Sequence, residues 1–410
     1  MELQENEYQI GGISINEIAQ QYETPLYVYD AEQMQLQYSK LHNAFSKKCT
    51  VKLNYACKAL TNINVLRLFN KMGSGLDTVS IQEVWLGKQA GFEAQDIIYT
   101  PNCVSMEEIE LAVNEGVKIN IDNLSILEQF GIKYGNSYPV CVRVNPHILA
   151  GGNHNISVGH IDSKFGISIY QLPHVHRIVE TNNMTIEGLH MHTGSDILDV
   201  EVFLNGAELL LYAAQDFKEL DYVDFGSGFK VPYKPNDIST DVESLGEQLG
   251  GRFISFCEDY GKDLTLMFEP GKFLVSDAGY FLATVNVVKQ TTSTVFAGLD
   301  TGFNHLIRPM FYDSHHEIVN VSNTSGKERI YTVVGYICET DCFGWNRRMH
   351  EISEGNVLCF KNAGAYCFSM ASNYNSRFRP AEVLIREGKD YLIRERETME
   401  DLTRNQVEVL

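Results

Sequence analysis

Eight short apolar runs, each followed by a turn and then a longer helical pattern, set the main constraint on what this chain can fold into. They are VKLNYACK (51–58), SGLDTVS (74–80), DIIYTP (96–101), VKINID (117–122), PVCVRVN (139–145), TIEGLHMH (185–192), YVDFGSG (222–228) and LTLMFEP (264–270). Several are rich in Val, Ile and Leu without strict alternation, the pattern of parallel strands covered on both faces. Between them, residues 63–72 carry apolar side chains at three- and four-residue spacing, 106–114 begin with acids, and 202–217 are long and amphipathic. Eight strands alternating with helices is the count of a TIM-like (β/α)8 barrel in the α/β class. A doubly wound open sheet is the alternative. The longest gap, 146–168, is rich in Gly, Asn, His and Ser and reads as a loop over the catalytic face.

After residue 278 the rhythm changes. YFLATVNVVKQ, TVFAGLD, HEIVNV, RIYTVVGYI and NVLCFKN read as strands with little helix between them, a mainly β C-terminal domain. YVYD (27–30) precedes the first barrel run and is expected to add a strand there. The expected division is a barrel over 35–278 and a β domain built from 1–34 and 279–410.

Charge narrows the partners. With 53 acidic against 33 basic residues the formal net charge is -20, which repels nucleic acid in the absence of a basic patch. No stretch approaches the roughly 18–20 apolar residues needed to cross a bilayer. The polar, acidic N-terminus lacks the pattern of a signal peptide. Nine scattered cysteines without a CxxC pair read as reduced thiols, so a cytoplasmic location is expected. Cys338 and Cys342 alone are a weak metal signal.

Unusual residues fall at the C-terminal ends of the apolar runs, where barrels place their chemistry. Run 1 ends in Lys58, run 6 in His192, run 7 in Gly226-Ser227-Gly228 and run 8 in Glu269. A lysine at the end of an interior strand must find a partner or lose its charge. It serves either as a salt-bridged group or as the amine of a Schiff base with an aldehyde. The glycine turn offers backbone N–H groups and a hydroxyl to a phosphate, or is merely a turn. Glu269 closes an apolar strand and requires a strong donor, such as a protonated pyridine nitrogen or an ordinary salt-bridge partner. His192 can stack on a flat ring, move protons or bind metal. His190 and His192 form an HxH pair, but zinc barrels carry that pair on the first strand, which here carries the lysine; no metal is expected.

In order and spacing, YACKAL, GLDTVSIQE, GLHMHTGSD, DFGSGF, FEPGK, CETDCFG and GAYCFSMASNYNSRFRPAEV resemble the barrel-type (fold type III) pyridoxal-phosphate decarboxylases over nearly the whole chain. That family includes diaminopimelate, ornithine and arginine decarboxylases. The resemblance implies an alanine-racemase-like arrangement of barrel and β domain, with pyridoxal 5'-phosphate as cofactor. Lys58 matches the Schiff-base lysine, His192 would stack over the ring, Glu269 would pair with its nitrogen and Asp77 would lie near it. Ser195, Gly228 and Tyr366 would help hold the phosphate. The resemblance further implies a homodimer in which the CET motif comes from the second subunit, making Cys338 a proton donor and Glu339 a contact for the substrate's distal amine.

The distal end of the substrate separates the family's members. Diaminopimelate carries an amine and a carboxylate there, and a buried carboxylate calls for arginine. NHLIRPMFYDSHHEI supplies Arg308 and Tyr312 and looks like the diaminopimelate decarboxylase form of this region. One departure stands out: the family's EPGR is EPGK here, so Lys272 keeps the charge and loses the planar fork. The expected reaction is conversion of meso-2,6-diaminopimelate to L-lysine and CO2. The alternatives are decarboxylation of ornithine, lysine or arginine, where Asp341 would face a distal amine, or a catalytically inactive regulatory homologue.

Overall fold

The computed structural model describes residues 1–148, 163–192, 194 and 200–410. Most of the expected loop over 146–168, and Ser195, lie outside the described residues. Two compact units emerge, one of residues 37–231 and 238–273, the other of residues 1–36, 232–237 and 274–410.

The first unit is built on eight strands: Val51–Ala56, Gly75–Thr78, Ile97–Tyr99, Lys118–Ile121, Val140–Asn145, Ile186–His190, Tyr222–Asp224 and Thr265–Phe268. Each pairs in parallel with its successor, from the first to the eighth. The eighth returns to the first, with Leu266 opposite Val51 and Phe268 opposite Leu53. That last pairing closes the barrel and removes the open-sheet alternative. The strands are three to six residues long and almost wholly buried, which explains why they read as continuous apolar runs.

The connecting helices carry their own start and stop signals. Asn62 caps Ile63–Lys71 by accepting from Asn64 N, and Ser80 caps Ile81–Ala90 by accepting from Glu83 N. Gly91 and Gly116 end Ile81–Ala90 and Met106–Glu115 in the left-handed conformation, φ 97° and 74°. The long amphipathic stretch is the helix Val200–Ala214.

Side chains from strands 3, 5, 7 and 8 meet in the barrel core. Ile98, Cys141, Tyr222 and Met267 form one buried cluster, and Gly188 stands beside Tyr222 in the sheet. A Cβ at Gly188 would lie 2.3 Å from the Tyr222 ring. Gly188→Ala is therefore expected to destabilise the barrel by about 1–3 kcal/mol through overpacking, read as a lower urea midpoint; an unchanged midpoint would show that the ring can move aside.

In the second unit the long strand Gly279–Gln290 runs antiparallel to Leu26–Asp30, Val295–Leu299 and Val357–Phe360. Leu26–Asp30 contains the YVYD segment and joins this sheet as expected. Three strands of this sheet were not read from the sequence, Cys342–His350, Ala381–Arg386 and Lys389–Arg394, nor was the small separate sheet of Glu2–Gln4, Glu7–Ile10 and Ile13–Ser14. Cys342–His350 and Lys389–Arg394 stand at the two ends of the sheet and pair through their backbones with Glu328–Val334 and Ala381–Arg386. Their charged residues therefore need not alternate with apolar ones. No helix among the described residues is long and apolar enough to cross a membrane.

Candidate active site

The first unit gathers its polar side chains where the strands end. Lys58 sits on the short turn Cys57–Ala59 just past strand 1. Its side chain is 42% exposed, and its Nζ lies 3.2 Å from Asp77 Oδ2 on strand 2. Sequence reasoning gave a lysine at an interior strand end a choice between a partner and neutrality; this one has a partner and keeps access to solvent. Asp77 is almost fully buried, and its other oxygen, Oδ1, has no hydrogen-bond partner among the described residues. Burial, and then the nearby Glu269, push the Asp77 carboxyl above its usual range, while Lys58 pulls it back.

Glu269 follows strand 8 and is buried. Its Oε2 lies 2.9 Å from His190 Nε2 at the end of strand 6, and its Oε1 accepts from Thr100 Oγ1 at 3.4 Å. Asp224, ending strand 7, accepts from Gly226 N at 2.8 Å through Oδ1. Burial raises both carboxyls, with Glu269 as a second cause at Asp224; Lys58 and Arg143 work the other way on Glu269. Arg143, on strand 5, is itself buried, and its guanidinium lies 4.8 Å from the Phe165 ring centroid. His190, Asp224 and Glu269 bring ligand-type atoms within 4.8 Å of one another, a donor set a divalent cation would accept. Arg143 already brings positive charge to both carboxylates, and Lys58 to Glu269.

His192 lies beyond the end of strand 6. Its Nδ1 accepts the Ser227 backbone N–H at 3.1 Å, so the ring proton resides on Nε2. Burial, then Arg143 and Lys58, hold this imidazole well below its usual pKa, and it is neutral. Gly226 and Gly228 have φ of 62° and 138°, conformations that favour glycine. A Cβ on Gly226 would lie 2.4 Å from Met191 O and 2.8 Å from His192 Nδ1. Thus one task of the glycine turn is to let His192 seat against strand 7.

The second unit holds the remaining candidates in two groups. In one, the Arg308 guanidinium lies 5.3 Å from the Tyr312 ring centroid and 5.7 Å from that of Tyr366. Its Nη2 donates to the neutral Ser314 Oγ at 3.4 Å. Nε is buried without a hydrogen-bond partner, and no carboxylate pairs with this arginine among the described residues. Burial works against its charge, yet Tyr233, Cys367, Tyr366 and Tyr312 outweigh it and raise the pKa. Tyr366 is half-buried with φ 57°.

In the other group, Cys338 and Glu339 are exposed. The Asn375 side-chain amide donates to Cys338 Sγ at 3.5 Å, and Tyr374 donates its hydroxyl to Glu339. Tyr374 is the first cause of a lowered Glu339 pKa. Asp341 departs from expectation. Its carboxylate accepts the backbone N–H groups of Phe303 at 2.8 Å and Ile337 at 3.1 Å, and burial raises its pKa to about 6. It braces its own loop and is not presented to a distal amine.

Lys58, Asp77, His192, Gly226, Ser227, Gly228 and Glu269 are thus gathered at one end of the barrel, and Lys272 opens the short helix Lys272–Val275 just after Glu269. Sequence reasoning missed Arg143 and Asp224 and gave His190 no task. A charged residue in a run such as VCVRVN was the available signal. The site suits a flat, phosphate-bearing aldehyde with a protonatable ring nitrogen. Lys58 offers a solvent-accessible amine, Asp77 an orphaned buried oxygen, and Glu269 a buried carboxylate able to take an N–H.

Residues 31–276 match the family model described as the pyridoxal-binding domain of pyridoxal-dependent decarboxylases. Among curated proteins, a diaminopimelate decarboxylase of Methanothermobacter thermautotrophicus is 40% identical over 97% of this chain and 95% of its own length. Among solved structures, diaminopimelate decarboxylase from M. jannaschii superposes with a TM-score of 0.92 at 29% identity, covering 100% of this chain and 98% of that one. The same enzyme in complex with L-lysine gives 0.90 at 29% identity with the same coverage.

Proposed function

Because the chain belongs to the pyridoxal-dependent decarboxylases, we propose that it converts meso-2,6-diaminopimelate to L-lysine and CO2, the closing step of lysine synthesis. Pyridoxal 5'-phosphate is its cofactor. When bound, that group supplies an electron sink for the pair left behind as CO2 departs.

The chain's own residues divide the remaining work. Lys58 holds the cofactor through its amine, with Asp77 beside it keeping the free amine charged. Glu269 takes the ring nitrogen and His192, neutral and pinned by Ser227, takes the ring face. Ser195, Gly226, Ser227, Gly228 and Tyr366 hold the phosphate. Cys338 carries the proton delivered to the carbon that has lost its carboxylate, and Asn375 steadies its sulfur. Glu339 takes the substrate's distal amine. Arg308, Tyr312, Tyr366 and Lys272 take the distal carboxylate, with Lys272 acting as a point charge where the family has a fork. A homodimer would let the Cys338–Glu339 segment of one subunit serve the other's cofactor.

The observation that carries the substrate reading is Arg308, a buried guanidinium set among tyrosines with no carboxylate partner among the described residues. Such a group awaits an anion. The relatives named for diaminopimelate point the same way. The test supplies pyridoxal phosphate and compares CO2 release from meso-diaminopimelate, ornithine, L-lysine and arginine. Release from diaminopimelate alone, with L-lysine formed, is the expected outcome; release from ornithine or arginine would overturn the distal-pocket assignment and leave the cofactor chemistry intact.

A further inference from the structure

The roles assigned so far leave several buried groups of the site idle, among them the imidazole of His190 and the carboxyl of Asp224. Both adjoin Glu269. His190 Nε2 lies 2.9 Å from Glu269 Oε2, its Nδ1 has no hydrogen-bond partner among the described residues, and the ring is 1% exposed. Lys58, Asp77, Asp122, Arg143, His192, Cys141 and Tyr222 are the charged and titratable groups around these three among the described residues.

Hydrogen-bond arithmetic fixes the proton positions. An imidazolium would bury an unpaired N–H at Nδ1, close to the charges of Arg143 and Lys58. A neutral ring with its proton on Nε2 donates to Glu269 and leaves only a lone pair unmatched, which costs less. Burial and Arg143 press the same way. The two carboxyls so close together cannot both ionise cheaply. Lys58, Arg143 and the His190 donor all favour charge on Glu269. Asp224, with its Oδ2 buried and unpartnered, is the one that keeps a proton.

We infer that His190 is a positioning residue: as a neutral donor it keeps Glu269 ionised and engages Oε2, so that Oε1, which also accepts from Thr100 Oγ1 at 3.4 Å, fixes the protonation of the cofactor's ring nitrogen. This rests on the cofactor assignment above and extends it to a residue with no other task. Asp224 is the neutral neighbour that makes the arrangement affordable in charge.

The test compares binding of two cofactors to the apoenzyme: pyridoxal phosphate, and its 1-deaza analogue with carbon in place of the ring nitrogen. His190→Phe should weaken pyridoxal phosphate by about tenfold or more and leave the analogue's affinity unchanged. The 15N shift of labelled bound cofactor should move toward the unprotonated form. His190→Gln, which retains an N–H donor, should recover part of the loss. His190→Asn, whose amide is too short to reach Oε2, serves if the phenylalanine variant does not fold. Equal weakening of both cofactors, or an unchanged 15N shift, would overturn the inference. So would a stoichiometric divalent ion in the purified holoenzyme whose chelation releases the cofactor. A wild-type chain that binds neither cofactor overturns the cofactor assignment as well.

Discussion

Lys58→Ala is expected to abolish the visible absorbance that the chain develops with pyridoxal phosphate and to cut CO2 release from diaminopimelate by at least about a thousandfold. The size of the effect follows from the position. Lys58 leaves the closed barrel on a short turn, its Nζ 3.2 Å from Asp77 Oδ2, with 42% of the side chain exposed. A lysine kept only for its charge would be replaceable by arginine, which satisfies Asp77 equally well. A guanidinium cannot serve as the amine that holds an aldehyde, so Lys58→Arg is expected to fail as completely as Lys58→Ala. Retention of the absorbance by the arginine variant would reduce Lys58 to an electrostatic role and reopen the question of what anchors the cofactor.

How much of this was legible in the sequence depends on which physical signal each element left. The eight barrel strands are buried on both faces, so burial wrote itself into composition and each run could be found. Cys342–His350 was hidden for the opposite reason. It pairs on one side with Glu328–Val334, and its residues Trp345, Asn346 and Arg348 are exposed, so neither periodicity nor apolar content marks it. Lys58, His192 and Glu269 were legible because polar residues at the ends of apolar runs are conspicuous. Asp224 was not, since it sits within a run and reads as a strand residue until its neighbour across the barrel is known. The bond between His190 and Glu269 joins residues 79 apart, and no local pattern encodes it. Asp341 shows the converse limit: residue type offered it to a ligand, while two backbone amides had already claimed it.

The second large effect is expected at Arg308. Truncation to alanine should lower kcat/KM for diaminopimelate by about 10²- to 10³-fold, chiefly through KM, because the substrate's distal carboxylate would be desolvated without its partner. Ligand chemistry separates this role from a structural one. L-lysine, the expected product, keeps the distal carboxylate and amine, whereas cadaverine keeps the amine alone. Inhibition by L-lysine should therefore weaken in Arg308→Ala in proportion to the loss for diaminopimelate, while inhibition by cadaverine stays as in the wild type. Arg308→Lys should fall between them, since an ammonium keeps the charge but cannot offer two parallel N–H bonds from a flat face seated among Tyr312 and Tyr366. Parallel weakening of both inhibitors would show that Arg308 supports the fold around it and that the distal carboxylate is read elsewhere. Lys272 would then be the first residue to replace, since arginine at that position should sharpen selectivity for diaminopimelate if the lysine already bears that contact.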